Sequence, residues 1–169
     1  MIVNAGVALN RRIGTGQFEH DDQTIRTNLI GAMATVDAAA ELFKEAGGGH
    51  IVALSSVAAY RGMPGLAAYA ASKAGLALYM EAARAELQHH GIKVTTLFPG
   101  YIDTPLNEDV KSRPFLVSAE SGAKTIADLI ERGVRSSAVP ALPWGPIGFV
   151  MRSIPEFAWD RLMGGSGSR

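Results

Sequence analysis

Tyr69-Ala70-Ala71-Ser72-Lys73 opens a long helical pattern and follows Ser55-Ser56, the polar end of a short apolar run. A phenol ionises near pH 10 by itself, so a tyrosine that moves protons close to neutrality needs a cation beside it. Lys73 supplies one. Four residues along a helix is one turn on the same face, so the spacing predicts that Tyr69 and Lys73 project into one cleft, where an ammonium favours the phenolate and lowers the tyrosine pKa. Ser56 stands thirteen residues before Tyr69, and the apolar run that precedes it delivers it to the same cleft.

Outward from this stretch, short apolar runs alternate with longer amphipathic segments, which predicts βα units around a parallel sheet. Residues 1–4 read as a strand end, Ile51 to Leu54 as a second strand, Ile92 to Phe98 as a third and Ala138 to Leu142 as a fourth. Between Asp22 and Ala46, Ile25, Leu29, Met33, Val36, Ala40 and Phe43 recur at helical spacing, with Asp21 or Asp22 as N-cap and Gly47-Gly48-Gly49 as the stop. Residues 68–90 predict a second helix closed by Gly91, and Ser118 caps a third that runs to Arg132 ahead of Gly133. Segments 105–117 and 140–163, the latter rich in proline and large apolar side chains, are expected to form a loop and a lid over the cleft. The glycine- and serine-rich tail 164–169 is expected to be disordered, which leaves one domain over residues 1–163 with no linker or repeat inside it.

Composition narrows the function. The 169 residues suffice for a real core, and 47% hydrophobic with 19% charged residues describes an ordinary globular chain. Sixteen basic residues balance sixteen acidic ones, so no bulk field attracts nucleic acid. The absence of cysteine removes disulfides, thiolate nucleophiles and zinc-thiolate sites, and suits a reducing compartment. The start Met1-Ile2-Val3-Asn4 lacks the pattern of a signal peptide, and no apolar run is long enough to be a transmembrane segment, so the expected location is the cytoplasm. His89 and His90 end a helix, where partial positive charge suits the dipole, and nothing at ligand spacing accompanies them; no metal site is expected. A serine hydrolase built on Ser55 or Ser56 is set aside, because no Gly-x-Ser-x-Gly elbow is present.

Taken singly, each motif has an ordinary explanation. A tyrosine four residues before a lysine is common on helix surfaces, serines after a strand bond nearby backbone, and Asn28 suits a helix residue bonding a carbonyl. Together, at this spacing, the motifs resemble the short-chain dehydrogenase/reductase family, of the single-domain kind. Asn4-Ala5-Gly6 resembles the family's turn after the fourth strand, and Asn28, in Thr27-Asn28-Leu29, its helix-borne asparagine. Ser56, Tyr69 and Lys73 match the rest of the catalytic tetrad, and Phe98-Pro99-Gly100-Tyr101-Ile102-Asp103-Thr104 matches the segment whose threonine contacts the nicotinamide amide.

The resemblance implies an α/β fold, the C-terminal part of a doubly wound parallel-sheet Rossmann fold, with the glycine-rich cofactor loop and the first three strands absent. It implies an NAD(P)-dependent oxidoreductase in which Tyr69 handles the proton, Ser56 bonds the reacting oxygen, Lys73 tunes the tyrosine and holds the ribose, and Asn28 positions a water. NAD or NADP would rest on Asn4, Ala5, Gly6, Tyr69, Lys73, Pro99, Gly100, Ile102 and Thr104. The partner would be a small carbonyl or alcohol, and Met63, Pro64 and Tyr101, among other apolar residues, suggest a bulky apolar one. By the same resemblance helices 22–46 and 68–90 would build a homo-oligomer. A catalytically inactive remnant acting only through helix-mediated association is the alternative.

Gly14-Thr15-Gly16 follows Asn10-Arg11-Arg12 rather than a buried strand, so no stretch of this sequence supplies the pyrophosphate turn of a dinucleotide fold. The 169-residue chain is therefore expected to bind NAD and NADP weakly or not at all in a calorimetric titration. A micromolar dissociation constant for either would overturn that expectation.

Overall fold

The computed structural model describes residues 1–108, 110 and 112–164; apart from Gly164, the expected disordered tail lies outside the described residues. Four strands, β1 (Ile2–Val3), β2 (Gly49–Leu54), β3 (Ile92–Pro99) and β4 (Ser136–Val139), lie in that order, each parallel to its neighbour. Parallel neighbours need long crossovers, which here are helical. Helix α1 (Phe18–Ile25), a π-helical turn (Arg26–Gly31) and α2 (Ala32–Glu45) run without a break between β1 and β2. Helix α3 (Ala67–Leu87) joins β2 to β3, α4 (Ala119–Glu131) joins β3 to β4, and α5 (Ala141–Ser153) and α6 (Glu156–Gly164) follow.

Side chains alternate between sheet faces, and both faces are covered. Ile51 and Ala53 join Val3 and Val94 beneath Val36 of α2 and Leu76 and Met80 of α3. Val52 faces the other way, with Leu97 and Val139, onto Leu129 of α4. Burial on both faces is why β2 reads as a continuous apolar run instead of an alternating one. Gly91, at φ 68°, takes the left-handed turn that lets the chain leave the α3 extension and enter β3.

The α/β class follows the sequence pattern, and three boundaries differ from it. The first helix begins at Phe18, after Gln17 in left-handed conformation, so neither Asp21 nor Asp22 is its N-cap. Both are spent on ion pairs instead: Asp21 with Arg11 from the preceding loop, and Asp22 with Arg26 one turn on, at 2.7 Å. The fourth strand stops at Val139, because Pro140 cannot extend the ladder. Segment 140–163 is two helices instead of an open lid; Leu142 is non-helical, so Pro143 and Pro146 fall in the first turn of the regular part of α5, where missing N–H groups cost nothing. Among the described residues no helix is long and apolar enough to cross a membrane.

The two faces of α3 give a direct test. Leu76 is 1% exposed and Leu78 is 68% exposed. Leu76→Ala is expected to cost about 2–5 kcal/mol in urea unfolding, and Leu78→Ala no more than about 0.5 kcal/mol.

Candidate active site

The carboxyl ends of β1, β2 and β3 open into a cleft of about 530 Å³, the position at which parallel α/β sheets hold their ligands. After β2 the two serines take different tasks. Ser55 is buried, and its hydroxyl donates to the Lys73 carbonyl at 2.8 Å, so it ties α3 to the sheet. Ser56 caps a short 3-10 turn (Val57–Tyr60): its Oγ accepts from the Ala58 N–H at 3.1 Å and reaches the Pro99 carbonyl only at 3.5 Å. That long contact leaves the Ser56 proton available to a ligand.

Lys73 is 5% exposed, and its ammonium donates to the Leu54 carbonyl at 2.8 Å. No carboxylate pairs with it among the described residues. Burial alone pulls its pKa from 10.5 down to about 8. Its Nζ lies 5.8 Å from the centroid of the Tyr69 ring. The expected lowering of the Tyr69 pKa by this ammonium is not what the cleft produces: burial raises it, a hydrogen bond with the Ser56 hydroxyl acts downward, and the neighbouring Tyr101 phenol acts upward.

Asn28 is fully buried and lies behind the cleft instead of lining it. It sits within the π-helical turn, a distortion often found at functional sites. Its Oδ1 accepts from Val7 N at 2.8 Å, while Nδ2 donates to the Val7 carbonyl at 2.8 Å and to Ser72 Oγ at 3.2 Å. The amide therefore clamps the loop after β1 to α3. A Cβ on Gly6 would lie 3.4 Å from Asn28 Oδ1 and 3.5 Å from Lys73 Nζ, so the loop passes directly over both.

Of the other residues expected to bind ligand, Asn4, Gly6, Pro99, Gly100, Ile102 and Thr104 line the cleft, as do Met63 and Tyr101. Ala5 is exposed and does not, and Pro64 lines a separate hollow between the loop before α3 and α6. No residue of 140–163 reaches the cleft; Trp144 packs behind Gly100 and Tyr101. Sequence reasoning missed Ala8 and Asn10, and Ala119, Ala123 and Ile126 of α4. The first two carry a usable signal, because they follow the carboxyl end of a parallel strand. The α4 residues carry none, since their periodicity reads as core.

A family profile described as short chain dehydrogenase matches residues 1–114. The chain belongs to the short-chain dehydrogenase family. Among family relatives, it is similar to an uncharacterized oxidoreductase of Mycobacterium tuberculosis (strain ATCC 25618 / H37Rv), 40% identical over 156 residues, covering 92% of this chain and 62% of the relative. An uncharacterized oxidoreductase of Myxococcus xanthus is 34% identical over 145 residues, with coverages of 85% and 56%. The chain thus spans roughly three fifths of the length of these short-chain dehydrogenase relatives. In fold it is similar to a Burkholderia cenocepacia short chain dehydrogenase solved in complex with NADP, with a TM-score of 0.82 at 24% identity, covering 96% of this chain and 69% of that one. Acetoin dehydrogenase YohF of Salmonella typhimurium gives a TM-score of 0.70 at 26% identity, covering 82% and 61%.

The depressed Lys73 pKa has a stability consequence. Below about pH 8 the lysine is charged in both the folded and unfolded states, and the penalty of burying that charge is present in full. Between about 8 and 10.5 the unfolded chain binds more protons than the folded one, so unfolding free energy rises with pH. The gain over this window is on the order of 3 kcal/mol. Urea melts from pH 7.5 to 10 are expected to lose this rise in Lys73→Met; an unchanged slope would contradict the assignment.

Proposed function

We propose that this chain carries the reacting half of an NAD(P)-dependent oxidoreductase that interconverts a carbonyl and a secondary alcohol on an apolar substrate. The supporting observation is the convergence of Ser56, Tyr69 and Lys73 on one cleft, opposite Pro99, Gly100 and Thr104. The donor set suits a nicotinamide riboside: an ammonium with one acceptor among the described residues, a serine hydroxyl whose bond to the Pro99 carbonyl is long, and the Thr104 hydroxyl on a weak 3.3 Å bond to the Ile102 carbonyl. Gly6 keeps the floor over Lys73 free of side chain. The cofactor, when bound, supplies or accepts the hydride.

The chain's own groups handle the proton and the charge. The Tyr69 phenol, whose pKa burial raises further above neutrality, carries its proton at neutral pH and donates it to the oxygen of a carbonyl as negative charge develops there. The Ser56 hydroxyl donates to the same oxygen, and Lys73 holds positive charge behind both. Met63, Leu66, Leu106 and Val110 give the cleft an apolar wall that suits a bulky, poorly polar ketone or alcohol. Self-association fits the same protein, since Ile30, Leu42 and Leu78 are exposed on the two long helices. The association-only alternative predicts no cofactor binding even in a chain that also carries the glycine-rich turn, and titration of that longer chain separates the two.

The test uses a chain that also carries the glycine-rich turn, with reduction of apolar ketones followed by loss of reduced-cofactor absorbance. Tyr69→Phe is expected to lower turnover by about 10²–10⁴-fold with a far smaller change in cofactor affinity, because it deletes one hydroxyl and little volume. Lys73→Ala is expected to weaken both, and Lys73→Arg to restore binding in part with poor turnover, since a planar guanidinium does not reproduce the compact ammonium. Undiminished reduction with Phe at position 69 would sink the proton-donor assignment.

A further inference from the structure

Two unfavourable features fall within one aromatic cluster behind the cleft. The Trp144 indole is 6% exposed, and its buried Nε1–H has no acceptor among the described residues. Phe115, a residue with a Cβ, is held at φ 57°, in the left-handed region. Buried donors without partners and left-handed backbone at bulky residues persist only where surrounding contacts enforce them, and they concentrate at functional positions.

The contacts that enforce them converge on Trp144. Its ring lies 5.8 Å from Phe115, edge to face at 90°, and 6.0 Å from Tyr101 at 59°. Its nitrogen edge occupies the place of a side chain at Gly100: a Cβ there would overlap Nε1. Any other residue at position 100 would push the indole away. Tyr101 and Phe115 flank the two ends of one strap, which is closed by the Asp103 N–H donating to the Val117 carbonyl at 2.9 Å and the Val117 N–H donating to the Tyr101 carbonyl at 3.1 Å. From this strap Ile102, Thr104, Leu106 and Asn107 face the cleft. Apart from these bonds, its two ends are linked by the exposed Arg113–Asp103 pair at 2.8 Å.

We infer that Trp144 is a positioning residue, which seats the strap formed by residues 101–107 and 115–117 and thereby sets the size of substrate the cleft accepts. It touches no ligand-lining space itself and acts through Gly100, Tyr101 and Phe115. Phe115 is 54% exposed, so its contribution is the edge contact to the indole and not core burial. The link to substrate size rests on the oxidoreductase function proposed above; the seating of the strap does not.

Two measurements separate those parts. Hydrogen exchange on the 169-residue chain is expected to show the Asp103 and Val117 amides opening about tenfold faster in Trp144→Phe, with the amides paired between β2 and β3 unchanged. Phe115→Leu, at an exposed position that leaves the core intact, is expected to do the same. Unchanged exchange at Asp103 and Val117 in the folded variants overturns the proposal. In a chain that carries the glycine-rich turn and reduces ketones, Trp144→Phe is expected to raise KM for 2-decanone about tenfold, with kcat and the cofactor KM within about twofold and acetone reduction unaffected. Equal losses for both ketones overturn the link to substrate size. Faster exchange in a protein that turns over neither ketone overturns the oxidoreductase function while the seating role stands.

Discussion

A buried ammonium with no carboxylate partner among the described residues is the constraint from which the cleft is built. Lys73 is held where water is scarce, and its hydrogen bond to a protein atom runs to the last carbonyl of β2 at Leu54. Such a charge is tolerable only if that carbonyl is fixed and the remaining donors face a polar opening. Ser55 supplies the fixing. Its hydroxyl bonds the Lys73 carbonyl while its backbone N–H bonds the Leu97 carbonyl of β3, both at 2.8 Å. The first turns of α3 are thereby pinned to two strand ends, and Tyr69, one turn before Lys73, has little freedom over where it points. Ser56 follows at once with a different duty: its oxygen caps the next turn, and its own proton reaches the Pro99 carbonyl only at 3.5 Å.

Asn28 extends the same logic to the third wall. A loop that leaves a two-residue strand has few backbone partners of its own, so Val7 borrows both of its hydrogen bonds from a side-chain amide on the neighbouring helix. Reaching that loop from a regular α-helix is awkward, and the π-helical turn over Arg26–Gly31 is the adjustment in the helix at that point. The amide's third bond, to Ser72, adds α3 to the clamp next to Lys73. Asparagine suits the place because it offers a donor and an acceptor at once, as the peptide unit it replaces would.

How much of this was legible depended on whether a local rule or a distant partner decided the outcome. β2 and β3 were readable because burial on both faces leaves a continuous apolar run, and Ser118 as a cap because its hydroxyl bonds the Ser121 N–H within its own turn. The start of α1 was misplaced because Asp21 answers to Arg11, a charge from a loop whose path no periodicity reveals. That Ser56, Tyr69 and Lys73 share a cleft was legible from their spacing, yet the separate duties of Ser55 and Ser56 were not, since both look like turn serines until a helix carbonyl arrives beside one of them. Composition alone places Trp144 in a lid. Its true neighbours, Gly100 and Phe115, are distant in sequence and bring no helical or strand period with them.

Burial also settles which way the electrostatics of the pair lean. An ammonium close to a phenol in water-like surroundings would favour phenolate, and the site would be poised to remove a proton. In this cleft desolvation opposes charge on both partners, raising Tyr69 and lowering Lys73 toward about 8. Near neutral pH the tyrosine therefore keeps its proton while the lysine keeps its charge, and in the proposed chemistry that combination serves donation to a carbonyl oxygen better than abstraction from an alcohol. Above about pH 8 the lysine loses its charge before the tyrosine ionises, so raising the pH first removes the positive charge beside Tyr69 instead of creating a phenolate. Burial thus widens the pH range over which Tyr69 stays protonated and narrows the range over which Lys73 stays charged, and the bonds made by Ser55 and by the Leu54 carbonyl hold the lysine in place.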